Sequence, residues 1–200
     1  MEVLVDSKKS EFNIEEMKTV GDLLTAIDHL LAVEGRVRVN TDIDGENLTG
    51  DNAEALFAKK SADTAMINLI TEDSAQLARQ TLTEAKSVLP EIKKAFEEVS
   101  YQMQAGKKEE AFDELQKTFV KWRDIIQLFH LVEGFLKVDY KVIFVGEKTI
   151  DEINSELLEL LTDTKAAMVD ADLVTLSDLL EYEIAPKIDD QMSIIAELLK

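Results

Sequence analysis

The stretch NTDIDGENLTGD, residues 40 to 51, sets four oxygen-bearing side chains at nearly the spacing of a calcium loop. Asn40, Asp42 and Asp44 stand two apart, Gly45 follows, and Asp51 closes the span. A calcium loop takes oxygens from its positions 1, 3, 5 and 12 and needs a glycine at position 6 for the bend. Three features oppose that reading. Asp51 is one methylene shorter than the usual bidentate Glu, and Asn47 stands where an aliphatic residue pairs such loops. The segment leading in, RVRV, alternates like a strand, whereas the motif requires a helix there. The stronger reading is a β-hairpin in which Ile43 extends a strand, Asp44-Gly45 turn the chain and Leu48 returns to the core. No metal is expected; Asn40, Asp42, Asp44 and Asp51 are the calcium candidates if the alternative holds.

Other chemistry is sparse. His29 and His130 stand alone, without an acid at the Glu-x-x-His spacing that a di-iron bundle uses. There is no G-x-S-x-G elbow, and the seven glycines are scattered singly rather than grouped in a phosphate-binding loop. Phe112, Phe119, Trp122 and Phe129 could stack a ligand, but at helical spacing they read better as core. Asp178 and Glu181 share a helix face near Tyr182 and Glu183; like charges three apart repel mildly, which hints at a cation, although a solvated face is the stronger reading.

Composition sets aside whole classes. Without cysteine there are no thiolate metal sites, disulfides or thiol catalysis, and a reducing cytoplasm suits the chain. Net charge is −19, shared as −9 over the first 73 residues and −10 over the rest, so neither nucleic acid nor an anionic membrane is an expected partner. No apolar run approaches the roughly 20 residues of a membrane span, and the first residues lack a signal-peptide core.

The elements that must position any site change character near Asp73. Before it, short strands dominate. MEVLVD alternates at Val3 and Val5, Lys8-Lys9-Ser10 make a polar turn, and EFNI alternates at Phe12 and Ile14. Thr19-x-x-Asp22 opens a helix with Leu23, Leu24, Ile27, Leu30 and Leu31 on one face, closed by Gly35. RVRVNTDI alternates at Val37, Val39, Thr41 and Ile43; DNAEALFAKK is a short helix; AMINLIT is a further strand. After Asp73 come four main helices. The first spans about 74–104, with Pro90 kinking it or starting a new helix. The second spans about 108–137, with an unbroken stripe from Phe112 through Leu115, Phe119, Trp122, Ile126, Phe129 and Val132 to Leu136. A connector, VDYKVIFVGEK, leads to a third opened by the capping box Thr149-x-x-Glu152. The fourth starts near Asp172 and should bend at Pro186.

The first 73 residues resemble the β-grasp, or ubiquitin-like, fold: MEVLVDSKKSEFNI is similar to its opening hairpin, and the stretch from RVRVNTDI to AMINLI is similar to its later strands and short helix. The whole chain resembles a set of uncharacterised bacterial proteins through DIDGENLT, MQAGKKEEAFDEL and DADLVTLSDLLEYEIAP, a likeness that implies no activity. The leucine spacing of the last two helices resembles that of flagellar export chaperones.

The fold expected is therefore α+β: a β-grasp-like domain over 1–73, then an antiparallel four-helix bundle over 74–200. With no nucleophile, metal cluster or cofactor loop legible, the function expected is protein–protein interaction, as an adaptor or scaffold of the bacterial cytoplasm. The alternatives are a chaperone-like binder of an amphipathic helix, a calcium-binding protein through 40–51, and an enzyme with an unrecognised carboxylate site. No cofactor is expected; a protein partner is, and a homo-oligomer is compatible with the sequence.

Overall fold

The computed structural model describes residues 1–10 and 17–200; the strand expected at Phe12 and Ile14 lies outside them. The chain divides into two compact units, Met1–Leu77 and Ala78–Lys200.

The first unit is a mixed five-stranded sheet with a helix across one face. In chain order the elements are β1 (Glu2–Val5), β2 (Lys8–Ser10), α1 (Val20–Val33), β3 (Arg36–Ile43), β4 (Glu46–Asn47), α2 (Ala53–Ala58) and β5 (Met66–Asp73). The spatial order is β2-β1-β5-β3-β4, with β1 and β5 parallel and the other pairs antiparallel. This arrangement agrees with the β-grasp resemblance. Val20, Leu23, Leu24, Ile27 and Leu31 of α1 are buried with Val3, Ile43, Leu56, Ile67 and Leu69. Thr19 and Asp22 exchange both capping-box hydrogen bonds at 3.1 Å, and Gly35, at φ +71°, follows the helix end.

Two expectations for this sheet change. Lys8–Ser10 form strand rather than turn: Asp6 and Ser7, at φ 50° and 65°, reverse the chain, so Lys8 already pairs with Val5. The Asp6 carboxylate anchors that turn by accepting from the Thr71 N–H and hydroxyl, at 2.8 and 2.7 Å, and from Arg36 at 2.8 Å. Those bonds, led by the Thr71 hydroxyl, hold it below the usual carboxylate range. The alternation through Val37 and Val39 also fails. Arg38 pairs with Thr71 and Asn40 with Ile70, so Val39 is the extra residue of a bulge and is exposed.

The second unit is helical, and its first helix begins with the last four residues of the first unit. α3 (Ser74–Gln104) and α4 (Lys108–Leu136) are followed by a small hairpin, β6 (Phe144–Val145) and β7 (Lys148–Thr149), where a plain connector is expected from sequence. α5 (Ile150–Val169) then opens with the Thr149–Glu152 capping box. The last rod comprises α6 (Leu173–Asp178), a π-helical segment (Leu179–Ile184) and α7 (Ala185–Leu198). Lys93 bonds Asp189 while Ser100, later in α3, bonds Glu181, earlier in the last rod; these two rods are antiparallel. The core shared by the helices of this unit includes Leu82, Leu89, Phe96, Leu115, Trp122, Leu157, Ile188 and Ile195.

The two prolines are accommodated differently, and no new helix starts at Pro90. Pro90 lies inside an unbroken α3. It is exposed, as is Lys86, whose carbonyl loses the proline's missing N–H, so water can satisfy that oxygen. At Pro186 the accommodation comes earlier. The Ala185 N–H reaches back five residues to the Leu180 carbonyl, and Pro186 falls in the first turn of α7, where no N–H is needed.

Glu156 links α5 to the elements around it. It accepts from Lys148 and, at 2.8 Å, from Lys187. The hydrogen bonds from these lysines, Lys148 first, lower its carboxyl from 4.5 to about 2. A depressed folded-state pKa stabilises the fold above the unfolded value and is lost as pH falls through the folded one. Glu156→Gln is therefore expected to lower the melting temperature at pH 7. Circular dichroism melts should show the difference from the parent chain closing between pH 4.5 and about 2. The side chain is 37% exposed, which keeps the effect below about 1 kcal/mol.

Candidate functional site

The segment 40–51 is a hairpin. Ile43 pairs with Glu46 across a two-residue turn, with Asp44 at φ 54° and Gly45 at φ +86°, the left-handed pair that such a turn requires. Leu48 packs partly buried against the core of the first unit. Asp42 Oδ1 accepts from the Gly45 N–H at 2.8 Å. Asp44 Oδ1 accepts from the Ala65 and Met66 N–H groups, at 2.9 and 2.8 Å, and Oδ2 bonds Lys59 at 2.5 Å. The Lys59 bond, then the Met66 N–H, hold its carboxyl below the usual range. Asn40 lies within β3, paired with Ile70, and Asp51 lies in the turn before α2. Among the described residues, no three His, Asp or Glu side chains gather as a metal-ligating group. Calorimetry with millimolar calcium is expected to show neither heat nor a rise in melting temperature. A bound ion would instead add roughly 2.7 kcal/mol at a hundredfold excess over its dissociation constant.

The other candidates separate. His29 and His130 are both exposed, His29 on α1 and His130 on α4. Of the acidic group around the π-helical segment, Glu181 is bound to α3. It accepts from the Ser100 hydroxyl at 3.0 Å and the Gln104 amide at 3.2 Å. Asp178, Tyr182 and Glu183 remain exposed. Glu181, first by its hydrogen bond, raises the Tyr182 phenol above its ordinary value. The segment thus fixes a carboxylate against a neighbouring helix.

The aromatic stripe of α4 does two things at once. Trp122 is fully buried; its ring meets Phe96 edge-on at 5.2 Å, and its indole N–H donates to Gln191 Oε1 at 2.7 Å. Phe112, Phe119 and Ile126 are only partly buried. They line an open groove of about 620 Å³ with Val120, and Leu161 and Met168 of α5 form the opposite wall. A second recess of about 270 Å³ shares Ile126 and Leu161 with the groove and continues toward Phe129, Glu133, Asp151 and Leu158. From Phe112 to Glu133 the lining runs along some 21 residues of α4, about 30 Å at the helical rise. Its walls are mainly apolar. Its charged groups are Asp113, Glu133 and Asp151 against Arg123, which is paired with Asp124 at 2.9 Å.

Helical periodicity finds the α4 wall because core and groove positions adjoin on that face. It misses Leu158 and Met168, which sit off the apolar stripe of α5 and are 67% and 39% exposed. It also misses Tyr140, buried in the connector, whose hydroxyl donates to the Phe129 carbonyl at 2.7 Å. Burial, then the charge of Glu133, raise that phenol well above its ordinary value. No helix among the described residues is long and apolar enough to cross a membrane.

Comparison with known proteins divides the chain in a similar way. Residues 1–73 match a family model described as the TP0873 N-terminal domain. An "Uncharacterized protein" of Treponema pallidum (strain Nichols) is 24% identical over 190 residues, covering 95% of this chain and 94% of that protein. No solved structure matches. Residues 80–192, more than half of the chain and including the whole groove, match the model described as "Domain of unknown function (DUF8042)". The chain belongs to that bacterial family.

Proposed function

We propose that this is a non-enzymatic interaction protein, an adaptor or scaffold of the bacterial cytoplasm, that docks a partner helix in the groove between α4 and α5. The observation that supports the reading is the groove itself: an open, mainly apolar trough of about 620 Å³, extended by a second recess along the same two helices. Val120, Leu158 and Met168 stand 45%, 67% and 39% exposed along it. Apolar surface left open along a water-facing helix pair is what a partner helix covers. A length near 30 Å suits a helix of about 20 residues better than a compact small molecule. The acidic rim, on a chain of net charge −19, favours a partner whose polar face is basic and draws it in at low salt.

The test uses a 20-residue amphipathic peptide of leucine and lysine, and a scrambled peptide of the same composition. The amphipathic peptide is expected to bind and to perturb the amide resonances of the groove. Val120→Glu and Leu158→Glu, at exposed positions, should weaken it at least tenfold without changing the melting temperature. Equal binding of the scrambled peptide, or indifference to both substitutions, would show attraction to bulk negative charge and would remove the reading.

A further inference from the structure

We infer that the smaller recess beside Gln191 is a binding site in its own right, for a neutral molecule or side chain with an apolar ring and an acceptor oxygen, above all a phenol. This goes beyond the groove reading and does not depend on it.

The argument starts from Trp122. An indole N–H can only donate, so the Gln191 atom it meets at 2.7 Å must be the oxygen. That fixes the amide: its Nε2 hydrogens face away from Trp122. Gln191 is 2% exposed and lines the recess. Among the described residues its side chain makes one hydrogen bond, the one it accepts from Trp122. The fully enclosed side-chain polar atoms without a partner among the described residues are Ser61 Oγ, Asn68 Oδ1 and Gln102 Oε1. The Gln191 amide nitrogen is not one of them, and it keeps surface through which an oxygen entering the recess can accept from it. Tyr140, which also lines the recess, is different, because its hydroxyl is already spent on the Phe129 carbonyl.

The remaining walls define what carries that oxygen. Ile126, Phe129, Leu157 and Leu161 offer apolar surface, and about 270 Å³ accommodates a single substituted ring. Glu133 and Asp151 line the same recess and form no ion pair among the described residues. Their charge, within a chain of −19, repels a carboxylate. A neutral hydroxyl meets both demands: it accepts from Gln191 and carries no charge past the acids.

The intact protein, labelled with nitrogen-15, gives a direct readout, because Trp122 is the only tryptophan and its indole N–H yields one resonance. A phenol bound to the Gln191 amide polarises the group to which that indole donates. Titration with p-cresol is expected to move the resonance saturably, at least tenfold more tightly than toluene or 4-methylbenzoate. Gln191→Glu keeps an oxygen for Trp122 and removes the donor; p-cresol affinity should fall at least tenfold. Ser155→Phe, at an exposed position on the recess, should block p-cresol and leave the free-protein resonance and melting temperature in place. Toluene binding as tightly as p-cresol would reduce the site to an apolar hole and overturn the inference. So would the absence of a saturable shift, or p-cresol binding unchanged in Ser155→Phe. Because the probe is p-cresol alone, failure of the leucine–lysine peptide leaves this result untouched, and the reverse also holds.

Discussion

Trp122→Ala is expected to cost about 3–5 kcal/mol, the range for emptying a buried aromatic site. The indole has no exposed surface, meets Phe96 edge-on at 5.2 Å and lies at 6.1 Å from Phe119. Its removal leaves a cavity at the base of the groove and strips Gln191 of its donor. Leaving the Gln191 amide oxygen buried without its donor places the cost toward the upper end of that range. Chemical denaturation of parent and variant measures the sum, with the slope unchanged if the fold is retained. The parent protein supplies a companion result. Its fluorescence should be blue-shifted and resist quenching by iodide and acrylamide. A red-shifted, freely quenched spectrum would mean that the indole faces water, and that the floor of the groove is itself a contact surface.

The second large effect concerns autonomy. We propose that residues 74–200 fold alone. Among the described residues, the aromatic and aliphatic core from Ala78 to Leu198 forms one buried cluster that includes no residue of the sheet, and the sheet has its own cluster around Ile27 and Ile67. The fragment is expected to show a single cooperative helical melt by circular dichroism, with the Trp122 spectrum of the intact chain. A molten fragment, helical but without a cooperative transition, would show that the first unit completes the helical core.

The features legible in the sequence are those encoded within a few residues. Thr19 with Asp22, and Thr149 with Glu152, close their hydrogen bonds three positions apart, so the helix starts can be read directly. Asp44-Gly45 is likewise a local conformational preference, and the α4 stripe is a simple period. The features that escaped depend on distant partners. Asp6 turns the chain where it does because Thr71, 65 residues away, holds its carboxylate. The bulge at Val39 is set by pairing with β5, and nothing within RVRVNTDI marks it. The recess depends on Trp122 meeting Gln191 across 69 residues, and glutamine at position 191 reads in isolation as an ordinary polar residue on a helix. The groove was half legible: aromatic residues at core spacing announce a packed face, but only tertiary structure leaves Phe112 and Phe119 part open.

The π-helical segment before Pro186 also bears on how the chain tolerates changes in length. A wide turn holds one residue more than an α-turn, so losing one residue from 179–184 would tighten it into ordinary helix. Everything downstream would keep its rotation, and Ile188, Gln191 and Ile195 would still face the core. The same loss within α7, between Ile188 and Gln191, would swing Gln191 by about 100° and part it from Trp122. Positions 179–184 are thus where a sister sequence can be one residue shorter without rewriting the interior.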